Sequence, residues 1–377
     1  MSEFPTIAEI SKSLEAWAPP GSAQDYDNVG LQVGDRNRRV RSALIALDMT
    51  PDVLAEASAL QAQLIITHHP LLFKPLRSVT TNSFESNLAL RLAEARIGLY
   101  SIHTNLDAAP GGVSFALADH LDLQDLDFMQ GMPDATLKLA VFVPEDHART
   151  VQEAMAEAGA GTIGEYEACA FEVDGTGYFK PGEGASPFIG EAGGGLESAR
   201  EVKLEMEVPR WHLYAVRKAM VEAHPYEEVA HDVYSVEQPT TTAGLGAVGH
   251  LEEPMLLKEF LQLISTRLEA ETLRYAGNPE AEVQRVAVCG GAGAGFVKQA
   301  MATGADAYVT SDVKYHDYFN VLDDSGNARM AFIDAGHYET EALTEALLWR
   351  YLRERFPTAA FTATSTRTSP MRRFVGG

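Results

Sequence analysis

His68 and His69 stand directly after the apolar run LIIT, and their type and position offer chemistry. A side chain at the carboxyl end of a parallel strand lies where open α/β sheets place their ligand sites. Neighbouring strand residues point to opposite sides, so the two rings can serve different ions, and a His-His pair suits two metals better than one. Two structural histidines account for H-H-P equally well. His337 and Glu341 carry more information. If a helix opens near Tyr338, residues four apart share a face, and an imidazole and a carboxylate converge on one point. A carboxylate in a first helical turn also complements the helix dipole, which explains Glu341 but not a histidine placed after the strand AFIDA. His103 and Asp107 follow another apolar strand, IGLYSI, and Asp107 precedes A-P-G-G, a turn that lets a ligand loop close tightly. Histidines and acids at strand ends, with no thiolate among them, indicate a hard or borderline divalent ion held by nitrogen and oxygen.

A glycine-rich turn, CGGAGAGF at 289–296, follows the strand RVAVC and precedes a helix. It has the outline of a dinucleotide-binding turn, with Asp312 ending a strand at about the right distance. Close backbone approach between lobes, or phosphate binding at the helix start, accounts for it as well.

The elements that must position these residues are legible from hydrophobic periodicity. SALIALD at 42–48, a helical PDVLAEASALQAQ and LIITHH form a strand, helix, strand unit, and LALRLAEA with IGLYSIHTNLD forms a second. From about Val283 the arrangement returns as RVAVCGG, GFVKQAMATG, DAYVTSD, MAFIDAGH and a long helix from about Glu339 to Phe356. Both ends of the chain are therefore α/β, with sheets of largely parallel character. The two ends also align with each other: Thr67 falls on Thr310, and His103-x-x-x-Asp107 on His337-x-x-x-Glu341. Two related lobes facing each other across a cleft would bring such strand ends together, although strand-helix-strand units resemble each other by default.

The middle differs, because it is duplicated. Residues 138–158 align without gaps on 203–223, with ten of 21 positions identical, including Val143/Val208, His147/His212 and Met155/Met220. Each copy reads as strand, helix, strand, with EYEACAFEV and EVAHDVYSV as the closing strands, and two such units give a ferredoxin-like α+β domain. The stretch 179–195 is its long loop and PTTTAG at 239–244 the linker leaving it. The expected division is an N-terminal lobe at 1–133, an insert at 134–238 and a C-terminal lobe at 239–377. The two lobes then form one discontinuous domain.

Composition narrows the function classes. The formal charge is −23, and no Lys/Arg cluster with interleaved aromatics stands against it, so nucleic acid is not an expected partner. No apolar run approaches the ~18 residues needed to span a bilayer, and the N-terminus lacks a secretory layout, so the expected location is the cytoplasm and no membrane partner is expected. Cys169 and Cys289, the two cysteines, have no ligand-like spacing and read as small buried hydrophobes.

The sequence resembles the GTP cyclohydrolase 1 type 2 homologs, also called the NGG-one interacting factor three family. The resemblance covers essentially the whole chain. It rests on YDNVGLQVGD at 26–35, ITHHPLLFK at 66–74, SIHTNLDAAPGGV at 101–113, TSDVKYHD at 310–317 and DAGHYETE at 334–341, with AHPYEEVAHDVY at 223–234 marking the insert of longer members. It implies two divalent ions per subunit (zinc, iron or manganese) held by His68, His69, Asp107, His337 and Glu341, with Glu341 bridging. It also implies two α/β lobes face to face, a ring-shaped homohexamer and a PII-like or CutA-like insert.

On that ligand set, two ions would support hydrolysis of a nucleotide-like or phosphoester substrate. His103 is the candidate general base, acid or partner to a ligand, and Lys314 and His316 are candidates to stabilise an anionic substrate. The family name's cyclohydrolase activity is carried by similarity. The competing reading is a non-catalytic regulator whose insert senses a small molecule or protein, with His224 as a contact residue or a helix cap.

Overall fold

The computed structural model describes residues 4–237 and 242–372. Two compact units emerge from the packing, Met1–Gly131 with Thr241–Gly377, and Met132–Thr240. The expected linker falls partly on 238–241, outside the described residues.

In chain order the first unit contributes β1 (Gly30–Val33), β2 (Ser42–Ala46), β3 (Leu64–Thr67), β4 (Gly98–Ser101) and β5 (Gln124–Gly131). The second unit holds β6 (Thr136–Pro144), β7 (Phe171–Phe179), β8 (Glu197–Pro209) and β9 (His231–Ser235). The chain then returns through β10 (Gly244–Leu256), β11 (Arg274–Ala276), β12 (Glu282–Val288), β13 (Ala307–Thr310), β14 (Ala331–Asp334) and β15 (Ala360–Ala363).

One sheet of the first unit runs β1-β4-β3-β2-β15 and the other β11-β14-β13-β12-β10-β5. β1-β4-β3-β2 and β11-β14-β13-β12 have the same order and the same directions, an antiparallel edge followed by parallel neighbours. The alignment of the two ends thus has a topological counterpart. Strands β2, β3 and β4 are buried on both faces, which is why they read as unbroken apolar runs. Helices Ile7–Trp17 and Thr344–Arg355 pack on one face of the first sheet, and Pro51–Ala59 and Phe84–Ala95 on the other. The helix Val113–His120 joins both lobes: Val113 packs in the first lobe's core and Leu117 in the second's.

The Glu339–Phe356 helix is in fact two, His337–Glu341 and Thr344–Arg355. The backbone tightens between them, where Glu345 N–H donates to the Ala342 carbonyl at 3.2 Å, three residues back. Periodicity carries no signal for such a one-turn adjustment.

In the insert the path is β-α-β-β-α-β, and the all-antiparallel order is β7-β8-β6-β9. The duplicated positions explain its core: Leu139/Leu204, Val143/Val208, Val151/Val216 and Met155/Met220 are all buried in one cluster. β7 lies six residues later than EYEACAFEV suggests, because Asp174 to Phe179 continue the ladder against the long β8. Cys289 is buried, whereas Cys169 is only half-buried.

The insert connects two adjacent antiparallel strands, since Gly131 of β5 pairs with Gly244 of β10. Excision therefore leaves two ends already side by side. A chain with 132–243 replaced by a short Gly/Ser linker is expected to stay folded and to retain its metal content by elemental analysis. Loss of metal from a soluble, folded deletion would show that the insert belongs to the site.

Candidate metal centre

The loops after β3, β4 and β14 deliver five side chains to one point. His68 and His69 leave the end of β3, Asp107 ends the one-turn helix Thr104–Asp107, and His337 and Glu341 open and close the helix His337–Glu341. Glu341 Oε2 lies 2.9 Å from His69 Nε2 and 3.0 Å from His337 Nε2. Glu341 Oε1 lies 3.7 Å from His68 Nε2, which is 3.6 Å from Asp107 Oδ1. Two groups of three potential ligands follow, His69 with His337 and Glu341, and His68 with Asp107 and Glu341, and Glu341 is common to both. His68, His69 and His103 form a third group.

Each histidine is oriented from behind. Nδ1 of His68 donates to the Ile102 carbonyl at 2.8 Å, that of His69 to Asp48 Oδ1 at 2.7 Å, and that of His337 to Asp312 Oδ2 at 2.8 Å. With the proton on Nδ1, every Nε2 turns a lone pair inward, the arrangement by which proteins hold imidazole ligands to metals. His68 Nε2, Asp107 Oδ1 and Glu341 Oε2 are buried without a well-formed hydrogen bond, and Nε2 atoms of His69 and His337 face each other at 3.4 Å. Unpaired buried acceptors directed at one spot are costly unless a cation is shared among them. The donor set thus fits divalent ions.

The charges around this cluster reinforce one another. Burial alone would push the His69 and His337 imidazoles down, but Asp48 and then Glu341 raise His69 to about 10, and Glu341 and then Asp312 raise His337 to about 9. Burial would raise Glu341, and the three histidines hold it well below the ordinary carboxylate range. Burial raises Asp107, with the Glu341 charge adding to the effect. In the ion-free protein, protons take the place of cations.

His103 is built like the ligands, its Nδ1 donating to Asp27 Oδ1 at 2.9 Å, and it lines a cavity of ≈ 540 Å³ above the cluster. Asp27 also accepts from the Thr104 amide at 3.0 Å, fixing the loop that carries Asp107. Lys314 and His316 are exposed and do not line this cavity. Asp27 and Asp48 were missed by sequence reasoning, although they lie in the quoted stretches YDNVG and SALIALD, and Asp312 was read only as the acid of a dinucleotide site. An acid holding a histidine from behind has no sequence spacing to betray it.

The glycine-rich turn serves the same cluster. Gly291 has φ +60°, and a Cβ there would lie 2.0 Å from Glu341 Oε1. Amides of Gly291 and Gly293 are already taken by Thr340 and Thr310 hydroxyls at 3.0 Å. The turn therefore makes room for a carboxylate, which answers the dinucleotide outline. Gly291→Ala is expected to displace Glu341 and lower bound metal by at least about half, with a stability loss of about 1–3 kcal/mol from overpacking. Elemental analysis and a thermal melt check it.

A sequence profile of the Duf34/NIF3 (NGG1p interacting factor 3) family matches residues 5–370. The chain belongs to that family. It is 39% identical over 340 residues to a GTP cyclohydrolase 1 type 2 homolog of Bacillus subtilis, covering 90% of each chain. Among solved structures, a Bacillus cereus protein related to NIF3 superposes with a TM-score of 0.79 at 36% identity, covering 99% of this chain and 100% of that one. A Staphylococcus aureus protein gives 0.77 at 28% identity, again over 99% and 100%. The mixed α/β architecture is thus a Duf34/NIF3 architecture, and no helix among the described residues is long and apolar enough to cross a membrane.

Proposed function

We propose that this Duf34/NIF3 protein is a dinuclear divalent-metal protein that hydrolyses a nucleotide-like or phosphoester substrate. The observation that carries the reading is Glu341: one buried carboxylate belongs to two three-ligand groups, and one of its oxygens is within 3.0 Å of two imidazole nitrogens. His69 and His337 would hold one ion, His68 and Asp107 the other, with Glu341 shared; zinc, iron and manganese all suit such nitrogen and oxygen donors. Bound divalent ions supply Lewis acidity and lower the pKa of water.

The chain's own part is positioning and proton transfer. Since the Asp27 bond occupies Nδ1 of His103, its Nε2 is left to take a proton in the cavity and return it to a leaving group. Tyr26 and Phe296, which line the same cavity, give a substrate apolar walls. Lys314 and His316, exposed in this chain, would meet an anionic substrate only through a rearrangement of their loop or in an assembly of subunits, for which a homohexamer is the proposed form. A cytoplasmic location is proposed with it.

A second reading, a regulator rather than an enzyme, is favoured by the insert, proposed as a ferredoxin-like, PII-like domain at 134–238. Its β-α-β-β-α-β path and separate cavity suit the sensing of a small molecule. The deciding experiment is metal analysis of protein purified without chelator, followed by a screen of nucleotides and phosphoesters in the presence of that metal. Absence of metal defeats the proposal outright, and two ions without turnover leave the regulator. If turnover is found, His103→Ala should keep both ions and lower kcat by about 10²–10⁴-fold. Loss of the ions in that variant would place His103 among the ligands instead.

A further inference from the structure

The motif His224-Pro225-Tyr226-Glu227-Glu228 lies far in sequence from the metal ligands, and its side chains build a different site within the insert. His224 follows the helix Leu213–Ala223 and does not line the cavity that Tyr226 faces. Its Nδ1 accepts from the Tyr226 amide at 3.0 Å, so its Nε2 carries the proton and donates to the Phe142 carbonyl at 3.0 Å. Burial lowers its pKa and keeps it neutral in that role. The histidine thereby fixes the direction in which Tyr226 leaves the turn.

Tyr226 faces a cavity of ≈ 340 Å³, within the range of small-ligand pockets. The rings of Phe179 and Phe188 each lie 6.1 Å from the Tyr226 ring, and all three line the cavity. Phe188 is 54% exposed, so its ring is accessible to a ligand from solvent. The roof carrying it is tied down by Glu227, whose Oε1 accepts from the Ser186 amide at 2.8 Å. Glu201 lines the same cavity. Its Oε1 accepts from the Tyr226 hydroxyl at 2.9 Å, and its carboxylate is seated over Gly177, where a Cβ would lie 2.2 Å from Oε2.

Aromatic rings lining a cavity with a carboxylate match an organic cation, because ring quadrupoles attract a positive charge within about 6 Å and the carboxylate supplies the counter-charge. Phosphate-bearing ligands are disfavoured: Glu201, Glu227 and Glu228 line the cavity against one cation, Lys180. The insert as a whole has 20 Asp and Glu against 8 Lys and Arg over residues 132–240, a field that draws cations in. We propose that Phe179, Phe188, Tyr226 and Glu201 form a binding site for a small alkylammonium cation. The site is independent of the metal centre and of the reading given to it.

Titration calorimetry of the full-length, metal-loaded protein tests this with tetramethylammonium, choline and putrescine, against the uncharged analogue 3,3-dimethylbutan-1-ol and against ATP. Binding of at least one cation is expected, with the uncharged analogue weaker by about tenfold or more, the loss of one strong cation–π or charge contact. Glu201→Gln and Phe188→Ala should each weaken the cation by a similar factor and leave bound metal unchanged; Phe188, being exposed, tests the wall without risk to the fold. The proposal is overturned if none of the three cations binds at millimolar concentration, if the uncharged analogue binds equally well, or if ATP binds in their place.

Discussion

Glu341→Gln is expected to reduce bound divalent metal from two ions toward one or none and to abolish any hydrolytic activity, while fold and assembly persist. The substitution keeps size and removes the charge on which both three-ligand groups depend. Two cations a few ångströms apart repel strongly, and a negative charge between them offsets this better than one at the edge. A carboxylate has two oxygens to share, whereas a neutral imidazole offers one free nitrogen, so no histidine in the cluster can replace it. Glu341 is also buried, so no solvent stands ready to take over. Elemental analysis beside circular dichroism decides the matter: native metal content in Glu341→Gln would exclude the shared role.

Stripping the protein with a chelator is expected to lower its melting temperature by ~10 °C. An ion present at about a thousand times its dissociation constant contributes about 4 kcal/mol to a state that alone binds it, and for a domain of this size each kcal/mol is worth about 2–4 °C. The size of the drop should depend on pH. In the ion-free protein His69 and His337 hold their protons up to about 10 and about 9, above the unfolded value of about 6.5. Their contribution to stability is therefore fully present below about pH 6.5 and lost as pH rises through 9 and 10. Metal must displace those same protons, so its affinity should keep rising with pH through this window instead of levelling near 7. Calorimetric titration in buffers of different ionisation enthalpy should report about one to two protons released per chain near neutral pH. A pH-independent affinity, or an unchanged melt after verified metal loss, would sink this coupling.

Sequence alone pointed to the strand ends where candidates lie, because the apolar strands are unmistakable: LIIT before His68 and His69, IGLYSI before His103 and Asp107, AFIDA before His337 and Glu341, while the five-ligand set came from the family resemblance. Strand periodicity is local, and so is the rule that a strand's carboxyl end bears the site. The doubled unit of the insert was legible for a similar reason, since residues repeated at one offset carry the same burial in both copies. What only the tertiary structure decided is everything that depends on distance between segments far apart in the chain. Asp48 and Asp312 hold His69 and His337 from behind, over separations of 21 and 25 residues that no periodicity marks. Gly291 is a glycine because Glu341, fifty positions later, needs its space, a steric fact invisible in a glycine-rich run that also fits a phosphate loop. Lys314 and His316 show the converse: their motif drew them into the site, yet exposure on a loop leaves them outside its cavity. Local pattern specifies strands and helices, whereas long-range packing selects which polar groups meet, because hydrogen bonds and excluded volume act only between atoms that folding has brought within a few ångströms.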